Sequence, residues 1–441
     1  MKKLLFLILN STFLIFNSLP QASAQLMVDI VAGNAEPIPI AIAGFDTIDA
    51  NRKIADEIRG VVENNLRSSG LFRIIDKNAH PERLKFDTMP KFPGWEAVKT
   101  NVLVQSRLTR TDDKQLRLQF YVWDISGKEQ IEAQSLLGDA KSVRRLGHIM
   151  ADAIYARLTG EGPYFDTQIA FITEQGELSN PTRRLAVMDS DGHNFRFISD
   201  DKNDVLTPHF SPNMQSLVFI SYRGGRMNVW TLDMDNGEQR RLGQFPGMNF
   251  APRFSPDGHR VALSITEDGI TNLWEYDLEA KTMRKLTNTR GINTSPAYSP
   301  DGKTMIYNSD ESGSQQLHSL DLKTLKSKRI SFGEGRYATP AFSPDGNYLA
   351  FTRMHRDTFF IGTMSPGGRN EKTIASGWYM ESPTWAPNSR RLIYYQTDVT
   401  DGGRGRKSTI RSVDILGHFN YEIKVPDGLN GVDPTWSPIL P

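Results

Sequence analysis

The sequence predicts an α/β N-terminal domain followed by an all-β six-bladed β-propeller, closed by pairing of the C-terminal strand with the first blade. Three observations predict it: alternating strand and helix periodicity up to residue 160, a proline motif recurring six times beyond residue 168, and a mismatch between motif and strands at the two ends of the repeat array. The 441 residues, 38% hydrophobic and 10% aromatic, are too many for one small domain and too apolar for a disordered chain. Lys+Arg 52 against Asp+Glu 51 leaves a net charge of +1, which gives no field to hold nucleic acid or an anionic membrane. Cysteine is absent, so disulfides, thiolate metal sites and a cysteine nucleophile are excluded.

At the start of the chain, Lys2 and Lys3 precede an apolar run from Leu4 to Leu19, and Ala22-Ser23-Ala24 supplies the small residues of a signal-peptidase site. Residues 1–24 therefore read as a cleaved secretory signal, with a mature segment 25–36 ahead of the first domain. An exported chain without disulfides fits a bacterial periplasm.

Within 37–160 the expected elements follow in order. Ile38 to Ala43 is a buried strand. Ile54, Ile58, Val61, Val62 and Leu66 recur at helical spacing before Ser68-Ser69-Gly70 stop the helix. Leu71 to Ile75 is a second strand, and Asn101 to Arg110 and Leu116 to Ile125 form a hairpin around Thr111-Asp112-Asp113-Lys114. A last helix from Ser142 to Leu158 carries Val143, Leu146, Ile149, Met150, Ile154 and Leu158 on one stripe. Residues 161–167 are the linker and 168–441 the propeller.

Beyond the linker the string Pro-x-aromatic-Ser/Ala-Pro recurs, with its second proline at Pro212, Pro256, Pro300, Pro344, Pro387 and Pro438, spaced 44, 44, 44, 43 and 51 apart. Asp257-Gly258, Asp301-Gly302 and Asp345-Gly346 continue three copies with a strong turn signal. Asp189, Asp233, Asp277 and Asp321 end apolar strands at the same 44-residue step. Each repeat reads as four short strands, one propeller blade. The sixth motif has no strands after it, and the strands from Ile169 to Ile198 have no motif before them. One blade is thus shared between the ends, and the closed ring removes free sheet edges.

The secretory signal, the α/β domain, Pro-Ile-Pro-Ile-Ala-Ile at 37 to 42, the Phe-Ser-Pro-Asp-Gly repeats and the terminal Trp-Ser-Pro at 436 to 438 together resemble the TolB family, periplasmic components of the Tol-Pal envelope system. The resemblance covers essentially the whole mature chain. It implies a non-enzymatic scaffold, peripheral to the outer membrane through Pal; the chain is expected to be a monomer without cofactor, and its eight histidines are scattered with none paired at metal-ligand spacing. The propeller is expected to bind the Pal lipoprotein, and Gln25, Leu26, Met27, Val28, Asp29, Ile30 and Val31 to bind TolA, in support of outer-membrane integrity and constriction at cell division. It also implies a Pal site on the loops before the motif: 245 to 252 with Met248, Asn249, Phe250 and Ala251, and 290 to 296 with Ile292 and Thr294. Ala251 and Thr294 coincide with family positions implicated in Pal binding, whereas Met248 stands where some relatives carry His.

Read without the family, six equivalent loops ring the axis at one end. They carry Leu206, Met248, Phe250, Ile292, Tyr337, Tyr379, Met380 and Val432, with Asp204, Arg336, Glu381 and Asp433 between them. Large apolar side chains with a few charges suit a protein-binding surface, and each of them equally suits packing between blades.

Catalytic signatures are weak. Gly-x-Ser-x-Gly and His-Glu-x-x-His do not occur, and Asp189-Ser190-Asp191-Gly192 and Asp233 to Gly237 read as hairpins rather than calcium loops. The basic run 402–407 falls in the one lengthened repeat, as a solvated insertion. The competing class is an exported propeller enzyme such as an oligogalacturonide lyase. It needs convergent acids and bases in the channel, whereas the second motif position holds His209, Arg253, Ala297, Ala341, Thr384 and Thr435.

Overall fold

The computed structural model describes residues 36–177, 180–200, 202–400, 402 and 405–441. The expected signal 1–24 and the segment Gln25 to Val31 lie outside the described residues.

The N-terminal domain is a five-stranded sheet packed by helices. β1 (Ile38–Ile42) lies parallel to both β2 (Phe72–Ile74) and β3 (Val102–Arg110), and β3, β4 (Leu116–Asp124) and β5 (Glu129–Gly138) continue antiparallel in the order β2-β1-β3-β4-β5. Alternation along β1 sends Ile40 and Ile42 to one face and Ala41 to the other. The first face packs on Ile58, Val62 and Leu66 of α1 (Arg52–Ser68) and on Met150 and Ile154 of α3 (Val143–Thr159). The second face is covered by α2 (Phe92–Ala97), whose Trp95 is fully buried.

Two of these elements escape the sequence reading. β5 is an edge strand, polar at half its positions and with no buried residue, because it is solvated along its length. α2 is six residues long and carries Pro93 near its start and Gly94 within it, which hides any helical periodicity.

Six four-stranded sheets follow. Blade 1 combines Gln168–Gln175, Thr182–Asp189 and Arg196–Phe197 with the last strand, Asn430–Trp436, which runs antiparallel to the first with Asn430 opposite Glu174 and Trp436 opposite Ile169. Blades 2 to 6 span 205–241, 248–285, 293–329, 336–377 and 379–423. The motif explains its own turn. In Ser255, Ser299 and Ser343 the hydroxyl bonds to the Asp two residues on and accepts the N–H that starts the next strand, while Gly258, Gly302 and Gly346 take positive φ. Blades 5 and 6 are stitched by Trp385 Nε1 donating to the Ala341 carbonyl at 2.9 Å and by the Asp345 N–H donating to Ser389 Oγ at 3.0 Å.

The two domains share one core. The cluster around α1 and α3 continues into Ile169, Phe171 and Met188 of blade 1, Ile393, Ile410 and Ile423 of blade 6, and Trp436. Asp152 of α3 fixes the linker, its carboxylate accepting the N–H groups of Tyr164, Phe165 and Asp166 at 2.7, 2.8 and 2.8 Å. Arg391 reaches across to the Ser69 carbonyl at 3.2 Å. Gly70, at φ +78, meets the Phe419 ring so closely that a Cβ would lie 2.7 Å from it.

Trp436 stands at this junction, buried, with Nε1 donating to Thr167 Oγ1 at 2.8 Å and its ring 6.1 Å from that of Tyr164. Trp436→Ala is expected to destabilise the chain by about 3–5 kcal/mol in urea denaturation, because it opens a cavity and removes one of the two hydrogen bonds of the Thr167 hydroxyl. A loss under about 1 kcal/mol would mean that the last strand contributes little to the ring.

Candidate functional site

One backbone device, repeated in every blade, shapes the axis. The residue before each motif proline lies in the left-handed region: Thr207 at φ +46, Ala251 at +51, Ser295 at +55, Thr339 at +44, Ser382 at +55 and Asp433 at +46. Proline bars the right-handed helical region to its predecessor, and the innermost strand breaks register with its neighbour at each of these points. The kink divides each inner strand into an arm toward the mouth and an arm lining the channel.

The mouth arms carry the residues expected from sequence. Met248 is 54% exposed and Ile292 45%, while Leu206, Phe250, Thr294 and Tyr379 are half-buried. Asn249, Ala251, Tyr337, Met380 and Val432 are buried. Tyr337 packs 5.2 Å from the Phe351 ring and donates its hydroxyl to Glu371 at 2.9 Å, and Met380 sits in the core of blades 5 and 6. For these five the packing reading, rather than direct contact, describes the side chain.

Exposure also brings in residues that the sequence did not single out. Of the twelve exposed large apolar side chains among the described residues, Tyr222, Met248, Ile270, Ile292, Phe332, Trp378 and Val399 all belong to hairpins or loops at this end. Ile270 and Ile292 are brought together by a bridge between Thr271 and Ile292. Phe332 is 74% exposed beneath the Arg329 guanidinium, and Trp378 lies under that of Arg406. Such clustering at one end of a molecule marks an interaction surface. The signal available in sequence was position, since each of the seven stands beside a turn between blades or strands.

Beside Trp378 the mouth holds a cleft of about 310 Å3 lined by Glu174, Arg183, Tyr379, Tyr395 and Asp433. Glu381 accepts both tyrosine hydroxyls on one oxygen, from Tyr379 at 3.0 Å and Tyr395 at 3.1 Å. Burial raises the pKa of Glu381 and of Asp433, which disfavours their charged forms, and Glu174 at the cleft wall is paired with Arg183 at 2.8 Å. The rim pairs apolar area with a small set of hydrogen-bonding and charged groups, the combination that gives a protein partner both affinity and orientation.

Candidate metal ligands lie elsewhere. Among the described residues His148, Asp189 and Asp191 converge, at the junction of α3 with blade 1. Arg144 is bonded to Asp191 and stands 3.6 Å from Asp189, so a guanidinium already matches these carboxylates. Asn65 Nδ2 donates to His148 Nδ1 at 2.7 Å, and the group ties the two domains together.

Further along the axis, His209 faces the channel with Nδ1 3.4 Å from Thr435 Oγ1. Burial, reinforced by the charge of Arg253, holds its pKa well below the ordinary 6.5. The native channel thus keeps this imidazole neutral where the unfolded chain protonates it. Stability linked to His209 is complete above pH 6.5 and is lost as the pH falls below it. Wild type should therefore lose stability relative to His209→Gln between about pH 7 and pH 5 in parallel urea titrations, and parallel curves would refute a buried neutral imidazole.

Comparison with known proteins follows the same division. A family model described as the TolB amino-terminal domain matches residues 26–131, and one described as the TolB beta propeller domain matches 155–440. The crystal structure of TolB from Acinetobacter baumannii is similar over 92% of this chain and 97% of its own, at 24% identity and a TM-score of 0.82. A putative TolB from Agrobacterium tumefaciens matches 62% of this chain and 99% of its own at 17% identity and a TM-score of 0.48. Hydrazine synthase from Kuenenia stuttgartiensis matches 63% of this chain and 47% of its own at 12% identity and a TM-score of 0.50.

Proposed function

The chain belongs to the TolB family, and from that premise we propose that it works in the periplasm as a protein-binding scaffold linking the Pal lipoprotein to inner-membrane-anchored TolA. Family membership makes it a component of the Tol-Pal system and does not favour the lyase alternative. The observation that carries the Pal half of the proposal is the concentration of exposed apolar side chains at one propeller mouth.

In this reading Met248, Ile292, Phe332 and Trp378 make the central contacts, with Leu206, Phe250, Thr294 and Tyr379 beside them. Asn249, Ala251, Tyr337, Met380 and Val432 act from beneath, by holding the loops in shape. Large flat side chains that are already ordered lose little entropy on binding and supply much of the affinity. The polar cleft under the rim, with the Arg183–Glu174 pair in its wall, orients the partner. The TolA half of the proposal assigns Gln25, Leu26, Met27, Val28, Asp29, Ile30 and Val31 as an extended segment that adds to its partner as a strand. The segment is docked or free according to whether Pal is bound, which couples the two ends of the scaffold. Through these partners the protein supports outer-membrane integrity and envelope constriction at division.

Phe332→Ala and Trp378→Ala are each expected to weaken Pal binding about tenfold by titration calorimetry without shifting the melting temperature. Leu416→Ala, an exposed position at the opposite end, should leave affinity unchanged. Unaltered binding in both mouth variants would place the Pal surface elsewhere. Deleting residues 25–33 should abolish capture of TolA and change Pal affinity; a chain that keeps both affinities would refute the coupling.

A further inference from the structure

The channel below the mouth holds chemistry that binding of a protein at the rim leaves unused. From the ring of kinked residues toward the Pro256 turn it encloses a cavity of about 220 Å3, walled by His209, Arg253, Thr384, Ser382 and Asp433 among others. That volume is equivalent to about seven water molecules, enough for a small polyatomic ion with part of its hydration.

The wall is rich in donors. The Arg253 guanidinium has five N–H groups, of which Nη1 donates to its own neighbour's carbonyl, Pro252 O, at 2.9 Å. Asp433 is the carboxylate whose charge bears on Arg253. Its carboxylate is already engaged, accepting Ser382 Oγ at 3.0 Å and the backbone N–H of Thr207, and it belongs to the ring nearer the mouth. Thr435 Oγ1 and His209 Nδ1 lie 3.4 Å apart, and a neutral imidazole carries one N–H, a further donor on this wall. Thr207 Oγ1 is buried and has no hydrogen-bond partner among the described residues. Burial depresses Arg253 to about 9, opposed by Asp433, so the guanidinium remains charged at neutral pH in surroundings that screen it poorly.

We propose that this cavity binds a small oxyanion of the phosphate or carboxylate type, gripped side-on by Arg253 with the His209 imidazole and the Thr384 hydroxyl completing its shell. A planar guanidinium matches two oxygens of such an ion and forms the stronger class of charge-assisted hydrogen bond. The same arginine repels a metal cation from this part of the axis. Asp433 closes the mouth side by like-charge repulsion, so the ion sits on the side of Arg253 that faces the Pro256 turn.

The test is calorimetric titration of the full chain with inorganic phosphate and, separately, with acetate, at pH 7. One-site binding of either ion, with Kd near or below about 1 mM, is expected, and which of the two binds more tightly identifies the oxyanion class. Arg253→Gln should weaken it at least about tenfold, while Arg240→Gln, which removes an exposed guanidinium on the outer strand of blade 2, should not change it. The imidazole C–H resonance of His209 in wild type should shift saturably with the same Kd, a readout that survives if Arg253→Gln fails to fold. Absence of saturation up to about 50 mM of both ions, equal affinity in Arg253→Gln, or an unmoved His209 resonance would overturn the proposal.

Discussion

The hydrogen-bond ladder between Asn430–Trp436 and Gln168–Gln175 joins residues some 260 positions apart in the chain, and the rest of the molecule is arranged around it. A four-stranded sheet buries its faces only between two neighbours, so each blade is stable only in a ring that has no first or last member. Here the blade that would have been first lacks its innermost strand, and the strand that would have been surplus supplies it. Because Trp436 also packs on Tyr164 and bonds Thr167, the same strand that completes blade 1 holds the α/β domain on the ring. Closure of the propeller and attachment of the domain are thus one interaction.

The six left-handed residues at the axis are a local cost spread evenly over the ring. A non-glycine residue in that region is less favourable by about 1–2 kcal/mol, and the proline that follows restricts it further. Packing of the motif aromatics between blades and the serine-anchored turns offset that cost. What the kink provides is a change of direction: one arm of each inner strand delivers Met248, Phe250 or Tyr379 to the mouth, and the other delivers His209, Arg253 or Thr384 to the channel. Two environments of different chemistry, an apolar rim over carboxylates and a donor-lined cavity, are generated from one repeated backbone geometry.

The junction between domains combines polar and apolar terms that fix it in one orientation. Asp152 gathers three consecutive linker N–H groups, Arg391 satisfies a carbonyl at the end of α1, and Gly70 admits the Phe419 ring. Each of these contacts depends on a specific approach distance. The apolar cluster beneath them is continuous across the boundary, so the domain is not tethered by its linker alone.

Strand and helix periodicity by itself determined the other elements of the α/β domain, and the 44-residue step of proline motifs and aspartate-ended strands determined the number of blades and the shared blade, because it is a direct imprint of stacking identical units. It located the loops at the mouth for the same reason. It did not determine which side chains there are exposed. Tyr337 and Met380 stand at loop positions equivalent to that of Met248, yet they turn inward because Phe351 and Glu371 in one case, and the core of blades 5 and 6 in the other, are present to receive them. Phe332 and Trp378 carry no periodic signal and stay exposed on the chain between blades, although a guanidinium, of Arg329 and of Arg406 respectively, lies over each ring. Edge strand β5, proline-bearing α2 and the meeting of Arg253 with His209 across two blades were likewise decided only by tertiary structure. Sequence pattern records what repeats along the chain, whereas burial and convergence are set by which neighbours the closed ring brings to each position.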